Sequence, residues 1–130
     1  MTTELTLLGW TLVLALIQVL LPAMLRNRET GIAYNASARD TPSVPVGTLT
    51  GRMQRAQHNL FETLPVFAAA ILIAHVAGRE GPLTQWGAWL YLLARIVYVP
   101  LYAAGIPYLR SLAWVVSVAG ILLVLRAVLF

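Results

Sequence analysis

A short polar stretch opens an apolar run, and its residue types could bind an anion. Arg52, Arg55, Asn59 and Glu62 precede apolar sequence that continues to residue 77. Read as a helix at about 100° per residue, these side chains fall within an arc of roughly 80°, with His58 at its edge. Charged groups at membrane depth are costly unless they face a partner or a water-filled cavity. The stripe therefore predicts a binding site.

A second polar set follows on one narrow face of a later apolar run. Tyr98 and Tyr102 lie three and seven residues after Arg95, and Arg110 opens the next run. In these two sets cations outnumber carboxylates, and the planar fork of arginine suits a carboxylate. The lone acidic residue, Glu62, could hold a ligand ammonium. A zwitterion with excess negative charge, such as a γ-glutamyl peptide, would satisfy both.

Each of these residues also has a purely structural alternative. Glu62 and Arg55 could pair with each other or with Arg95, which could itself be a strut between helices. The two tyrosines could be packing residues, and His58 could lie at the membrane interface. The set is more informative than any member, because several arginines remain unmatched after every pair is drawn.

Other kinds of site fit the sequence poorly. His58 and His75 are seventeen residues apart with only Glu62 between them, so no metal site is predicted. There is no arrangement for a Ser-His-Asp triad and no glycine-rich phosphate loop. The arginines are spread singly along apolar sequence, which argues against nucleic-acid binding. The chain has no cysteine, so a thiol would have to come from a ligand.

The composition predicts an integral membrane protein with one domain. The 130 residues are 59% hydrophobic and 11% charged, with a mean hydropathy of +0.77. Soluble domains usually carry about 25% charged residues. Nine basic residues, all of them arginine, against five acidic residues give the net charge of +4.

The elements that must position the polar residues are four transmembrane helices, predicted at about 5–25, 52–77, 83–104 and 108–130. The first rises about 31 Å, which matches the hydrocarbon thickness. An acidic start and the lack of a cleavage site favour a retained helix over a signal peptide. Pro22 and Pro65 predict bends. Residues 26–50 are expected to form an interfacial loop, where Arg26 and Arg28 could either orient the first helix or bind a ligand.

The fold class is therefore an all-α, four-helix membrane bundle over residues 1–130. Four spans place both termini on one side of the membrane and the arginine-rich loops on the other. The positive-inside rule then puts those loops in the cytoplasm and the termini outside. The polar stripe and Arg110 are expected to open toward the cytoplasm.

Two segments also resemble a known family. Arg55-Ala-Gln-His-Asn59-Leu-Phe-Glu62-Thr-Leu-Pro65 is similar to the Arg-Ala-x-x-Asn-x-x-Glu-x-x-Pro signature of the MAPEG proteins, the membrane-associated proteins in eicosanoid and glutathione metabolism. Ala94-Arg95-x-x-Tyr98-x-x-x-Tyr102, followed by Arg110, resembles the second family segment. The first span, ending in Arg26 and Arg28, also fits. The similarity covers nearly the whole chain and is to bacterial members.

The resemblance implies a homotrimer in the bacterial inner membrane, with glutathione as cosubstrate between neighbouring subunits on the cytoplasmic side. It implies that Arg110 lies near the thiol, where a guanidinium favours the nucleophilic thiolate. The resemblance, the polar stripe and the third-helix face together suggest a set of glutathione-binding residues. They are Arg26, Arg55, His58, Asn59, Glu62, Arg95, Tyr98 and Tyr102. His58 departs from the pattern, since some members have another arginine there.

The expected function is a glutathione-dependent transferase or peroxidase acting on apolar electrophiles or lipid hydroperoxides that enter from the bilayer. The alternative is a non-enzymatic lipid-binding or scaffold protein of the same fold, because the family includes a non-catalytic member. In that case the polar stripe would serve helix packing and trimer assembly. A small anion transporter is disfavoured, since the sequence has no repeats and no pairs of broken helices.

Overall fold

The computed structural model describes residues 1–130 and consists of helices without strands. The five helices are α1 (Thr3–Thr30), α2 (Ile32–Ala36), α3 (Thr48–Val76), α4 (Pro82–Ala103) and α5 (Pro107–Leu129). Three of them, α1, α3 and α5, are long and apolar enough to cross a membrane. The 22-residue α4 is also long, but Arg95 and three tyrosines interrupt its apolar sequence. Hydropathy therefore supports three spans of the four that the sequence predicted.

The loop expected over residues 26–50 is largely helical at both ends, which corrects the prediction. Helix α1 continues to Thr30 and ends at Gly31, whose φ is +88°. The short α2 follows, and α3 begins at Thr48. The helix extends because residues 26–30 include neither proline nor glycine, whereas the left-handed conformation at Gly31 favours glycine. Helices α1 and α3 continue through Pro22 and Pro65.

Glu29 ties the end of α1 to the start of α3. Its carboxylate accepts hydrogen bonds from the backbone N–H of Gly47 at 2.9 Å and from the Thr50 hydroxyl at 2.9 Å. The first backbone N–H groups of a helix lack partners within the helix, so a carboxylate there is favourable. This contact sets the position at which the polar stretch of α3 begins.

The buried core is small, and much of the apolar surface is exposed. Phe67 stacks on Tyr91 with ring centroids 4.0 Å apart, and the Tyr91 hydroxyl hydrogen-bonds the Thr63 hydroxyl at 2.8 Å. Large apolar side chains are exposed along α1, α3, α4 and α5. Continuous exposed apolar faces on helices of this length are what lipid contact requires.

Helices α4 and α5 approach closely as an antiparallel pair. A Cβ added at Gly87 would lie 2.5 Å from the carbonyl oxygen of Gly120, and one at Gly120 would lie 2.6 Å from that of Gly87. Small residues allow backbones of membrane helices to pack this tightly. The pair carries Arg95, Tyr98 and Arg110, so its packing sets where those side chains lie.

A polar cluster, here called the terminal clasp, joins α1 to the α3–α4 turn and consists of Thr2, Glu4, His75, Glu80 and Thr84. The Thr2 hydroxyl donates to Glu80 at 2.7 Å, and the Thr84 hydroxyl donates to Glu4 at 2.6 Å. The Nδ1 atom of His75 lies 3.1 Å from a carboxylate oxygen of Glu80. The hydrogen bond from Thr2 is the main cause that lowers the pKa of Glu80, and His75 also contributes.

Candidate functional site

Tyr102 lies between two arginines where α4 and α5 meet. It occupies the last turn of α4, and Arg110 occupies the first turn of α5. The Nε–H of Arg55 donates to the Tyr102 hydroxyl at 3.1 Å. The Arg110 guanidinium carbon lies 4.7 Å from the centroid of the Tyr102 ring, within the range of a cation–π contact.

Arg95, one α4 residue of the same polar set as Tyr102, is fully buried. Its Nη1 donates to the side-chain oxygen of Asn59 at 2.7 Å, and its guanidinium carbon lies 4.1 Å from the centroid of the Tyr98 ring. Its Nε and Nη2 and the Tyr98 hydroxyl are buried without hydrogen-bond partners. Most buried polar groups in proteins have a hydrogen-bond partner, so three unpartnered polar atoms at one place are unusual.

The side chain of Glu62 is exposed and makes no hydrogen bond or ion pair. The pairing of Glu62 with Arg55 or Arg95, which the sequence left open, does not occur. We call Arg55, Asn59, Glu62, Arg95, Tyr98, Tyr102 and Arg110 the arginine–tyrosine cluster. Its three arginines against one carboxylate give a formal charge of +2 (three minus one). An anion with one ammonium group would match this set of charges.

Arg26 lies outside the cluster. It lines a polar cavity of about 190 Å³ near the junction of α1, α2 and α3, and the other polar residues lining this α1–α3 cavity are Asn27, Asn35, Arg39, Gln54 and Gln57. On α3, Gln57 points about 160° away from Arg55, because two residues turn a helix by about 200°. The chain therefore presents its two polar flanks on different sides of α3.

His58 is exposed on α3 between these flanks, and its side chain makes no hydrogen bond. Arg52, which the helical projection groups with Arg55, instead donates from Nη1 to the carbonyl of Ala103 at 3.1 Å. It thereby caps the end of α4, where helix carbonyls lack partners. A side chain at Gly105, whose φ is +73°, would meet this guanidinium at 2.8 Å.

Sequence reasoning missed the amides of the α1–α3 cavity. Gln54 and Gln57 are spaced three residues apart, which places them on one flank of α3, as the arginine stripe is on the other. That spacing is a usable signal, but a neutral amide in an apolar helix indicates a site less strongly than a charged group does. No signal in the sequence pointed to Asn35 or Arg39.

Comparison with known proteins decides the family. The family model described as MAPEG family matches residues 7–130. The chain belongs to the MAPEG family. With three apolar helices of spanning length, this MAPEG protein is an integral membrane protein. The family includes glutathione-dependent transferases and peroxidases as well as non-enzymatic members. No curated protein matches the chain.

Proposed function

We propose that this MAPEG protein is a glutathione-dependent membrane transferase or peroxidase. The observation that carries the proposal is the lack of any ion pair between an arginine and a carboxylate in the chain. Cations at membrane depth that are not neutralised within the protein favour an anionic ligand. Glutathione supplies two carboxylates, one ammonium group and the thiol that a chain without cysteine cannot provide.

The proposed binding roles follow from exposure and hydrogen-bonding capacity. Arg55 is exposed and presents its guanidinium to a glutathione carboxylate, while the unpaired carboxylate of Glu62 takes the ammonium group. Tyr102, which is partly exposed, lines the same site, whereas the buried Tyr98 packs against Tyr102 and Arg95 and supports it. Arg95 is fully buried, and we assign it a positioning role through its hydrogen bond to Asn59.

We propose that Arg110 stabilises the glutathione thiolate. A nearby guanidinium favours thiolate over thiol, and the thiolate is the nucleophile. In conjugation the thiol proton passes to solvent, the sulfur forms a bond to the electrophilic carbon, and the leaving group departs with the electron pair of its bond. In the peroxidase reaction, two glutathione molecules reduce a lipid hydroperoxide to an alcohol and water and are oxidised to the disulfide.

We further propose that α4 also spans the bilayer and that three protomers assemble around shared sites. The arginine–tyrosine cluster and the α1–α3 cavity lie on different sides of α3, so they do not form one site within a single protomer. In the proposed trimer, the cluster of one protomer faces the cavity of its neighbour, and Arg26 of that neighbour completes the site. By the positive-inside rule, the arginine-rich loops support a cytoplasmic location for these sites, with the termini outward. The membrane proposed is the bacterial inner membrane.

A non-enzymatic lipid-binding or scaffold role is the second candidate. A groove of about 540 Å³ between α1 and α4 is lined only by apolar residues. Such a groove would suit an acyl chain without any chemistry. On this alternative the arginine–tyrosine cluster would serve helix packing, and glutathione would not stabilise the protein.

Thermal unfolding with and without glutathione, and turnover of a model electrophile, test the proposal on purified protein in detergent. Wild type is expected to gain stability in proportion to ligand saturation, about 2.7 kcal/mol at a hundred times Kd. Arg55→Ala and Arg26→Ala are expected to lose most of this gain. Arg110→Ala is expected to keep it but to lose turnover by about a hundredfold or more.

Arg79→Ala is the matched control, because Arg79 is exposed at the opposite end of the bundle. It should behave as wild type in both measurements. No stabilisation of wild type by glutathione would refute the proposal and favour the lipid-binding alternative. Retained stabilisation in Arg26→Ala alone would contradict only the shared site between protomers.

A further inference from the structure

We infer that Tyr102 positions two arginines by two separable parts of its side chain, the hydroxyl for Arg55 and the ring face for Arg110. The geometry is independent of any ligand, whereas its catalytic meaning rests on the proposed function. Arg55 donates to the hydroxyl at 3.1 Å, and its guanidinium carbon lies 5.8 Å from the ring centroid. The Arg110 guanidinium carbon lies closer to that centroid, at 4.7 Å, and makes no hydrogen bond to the hydroxyl.

The contact of Arg110 with the ring leaves its hydrogen-bond donors free. Arg110 makes no hydrogen bond or ion pair with the protein through its side chain, although it is only partly exposed. A long arginine side chain with no partner would sample many rotamers. A cation–π contact with the ring uses none of the five N–H donors of the guanidinium. Arg110 is thereby oriented and still able to stabilise a developing anion.

The hydroxyl acts differently on Arg55. It accepts from Nε, which leaves the two terminal nitrogens of Arg55 available for a bidentate contact with a carboxylate. The plane of the Tyr102 ring is itself supported by Tyr98, whose ring meets it edge-on at 64° with centroids 5.6 Å apart. Tyr102 is thus a positioning residue for a binding arginine and for the proposed catalytic one.

Two variants separate the two parts. Tyr102→Phe keeps the ring and removes the hydroxyl, whereas Tyr102→Leu removes both. Tyr108→Leu is the matched control, since Tyr108 is highly exposed in the first turn of α5. All variants are compared by circular dichroism and size-exclusion chromatography before other measurements, so that folding defects are recognised.

The first readout needs no ligand. NMR of arginine-labelled protein in detergent should show the side-chain proton resonances of Arg110 shifted upfield by the ring current of Tyr102. The shift should persist in Tyr102→Phe and Tyr108→Leu and disappear in Tyr102→Leu. An unshifted Arg110 resonance in wild type would overturn the inference, whether or not the leucine variant folds.

The second readout uses glutathione. Tyr102→Phe should bind it about fivefold more weakly, as expected for one lost hydrogen bond, with an unchanged pH–rate profile. Tyr102→Leu should also displace the pH–rate profile toward alkaline pH by about one unit, because Arg110 is no longer held. Turnover at alkaline pH should then recover, which a merely structural defect would not produce.

Failure of the inference is distinguishable from failure of the proposed function. If glutathione binds and both Tyr102 variants have identical effects on the resonances and on the pH profile, the positioning role is overturned and the proposed function stands. Ring-current shifts that behave as expected, without any response to glutathione, support the positioning geometry and refute the function.

Discussion

Arg95 is the residue whose environment departs most from ordinary expectation. It is a fully buried guanidinium with one hydrogen bond, from Nη1 to Asn59, and one aromatic contact, with Tyr98. The sequence placed Arg95 and Asn59 in one candidate set because both lie in polar positions of apolar helices. It could not show that they pair, because they are 36 residues apart on different helices.

Asn59→Ala tests the importance of that single hydrogen bond. Arg95 would then be a buried charge with no hydrogen-bond partner, and we expect the free energy of unfolding to fall by about 2 to 3 kcal/mol. Thermal unfolding in detergent measures the change, with Gln85→Ala at an exposed position as the control. Equal stability of Asn59→Ala and Gln85→Ala would mean that Arg95 finds another partner.

The pairing of α4 and α5 shows why helix elements could be predicted while their contacts could not. Apolar runs and the turn residues between them predicted helices at about 83–104 and 108–130, and the structure has helices at Pro82–Ala103 and Pro107–Leu129. The approach of Gly87 to Gly120 is a long-range feature that no local pattern reveals. It fixes the relative rotation of the two helices and so brings Arg110 over Tyr102.

Gly87→Ala and Gly120→Ala should both destabilise the protein. Each added methyl group would lie within about 2.6 Å of a backbone carbonyl oxygen on the other helix, so the helices must separate. Overpacking of this kind costs about 1 to 3 kcal/mol.

Gly9→Ala is the control for these two substitutions, because nothing lies within 4 Å of its added Cβ. Alanine is favoured over glycine inside a helix by up to about 1 kcal/mol, so this variant should be as stable as wild type or slightly more so. Thermal unfolding compares the three. A Gly87→Ala variant as stable as Gly9→Ala would contradict the close approach.

At the scale of the whole molecule, the terminal clasp joins segments that are far apart in the sequence. Thr2 reaches Glu80 across 78 positions, and Glu4 reaches Thr84 across 80. The clasp lies at the end of the bundle opposite the arginine–tyrosine cluster. The exposed His75 contacts Glu80 at this end.

The clasp predicts a loss of stability in acid. Because the folded-state pKa of Glu80 is below its ordinary value of 4.5, the unfolded chain takes up the proton first. The contribution of ionised Glu80 to stability is complete above the unfolded-state pKa and is lost as pH falls through the folded-state pKa. Melting temperature measured from about pH 7 to about pH 3 should therefore fall less steeply in Glu80→Gln than in wild type. Parallel curves would exclude Glu80 as a source of the acid sensitivity.

The sequence by itself determined the helical character of the chain, its membrane composition, the residues of the arginine–tyrosine cluster and the family to which they belong. It did so because hydropathy, helical spacing and a short motif are local properties. Only the tertiary structure decided that Arg95 bonds Asn59, that Tyr102 lies between Arg55 and Arg110, and that Arg26 lies on another flank. Spacing specifies which residues share a face of one helix. The packing of separate helices specifies which faces meet, and that depends on contacts distant in sequence.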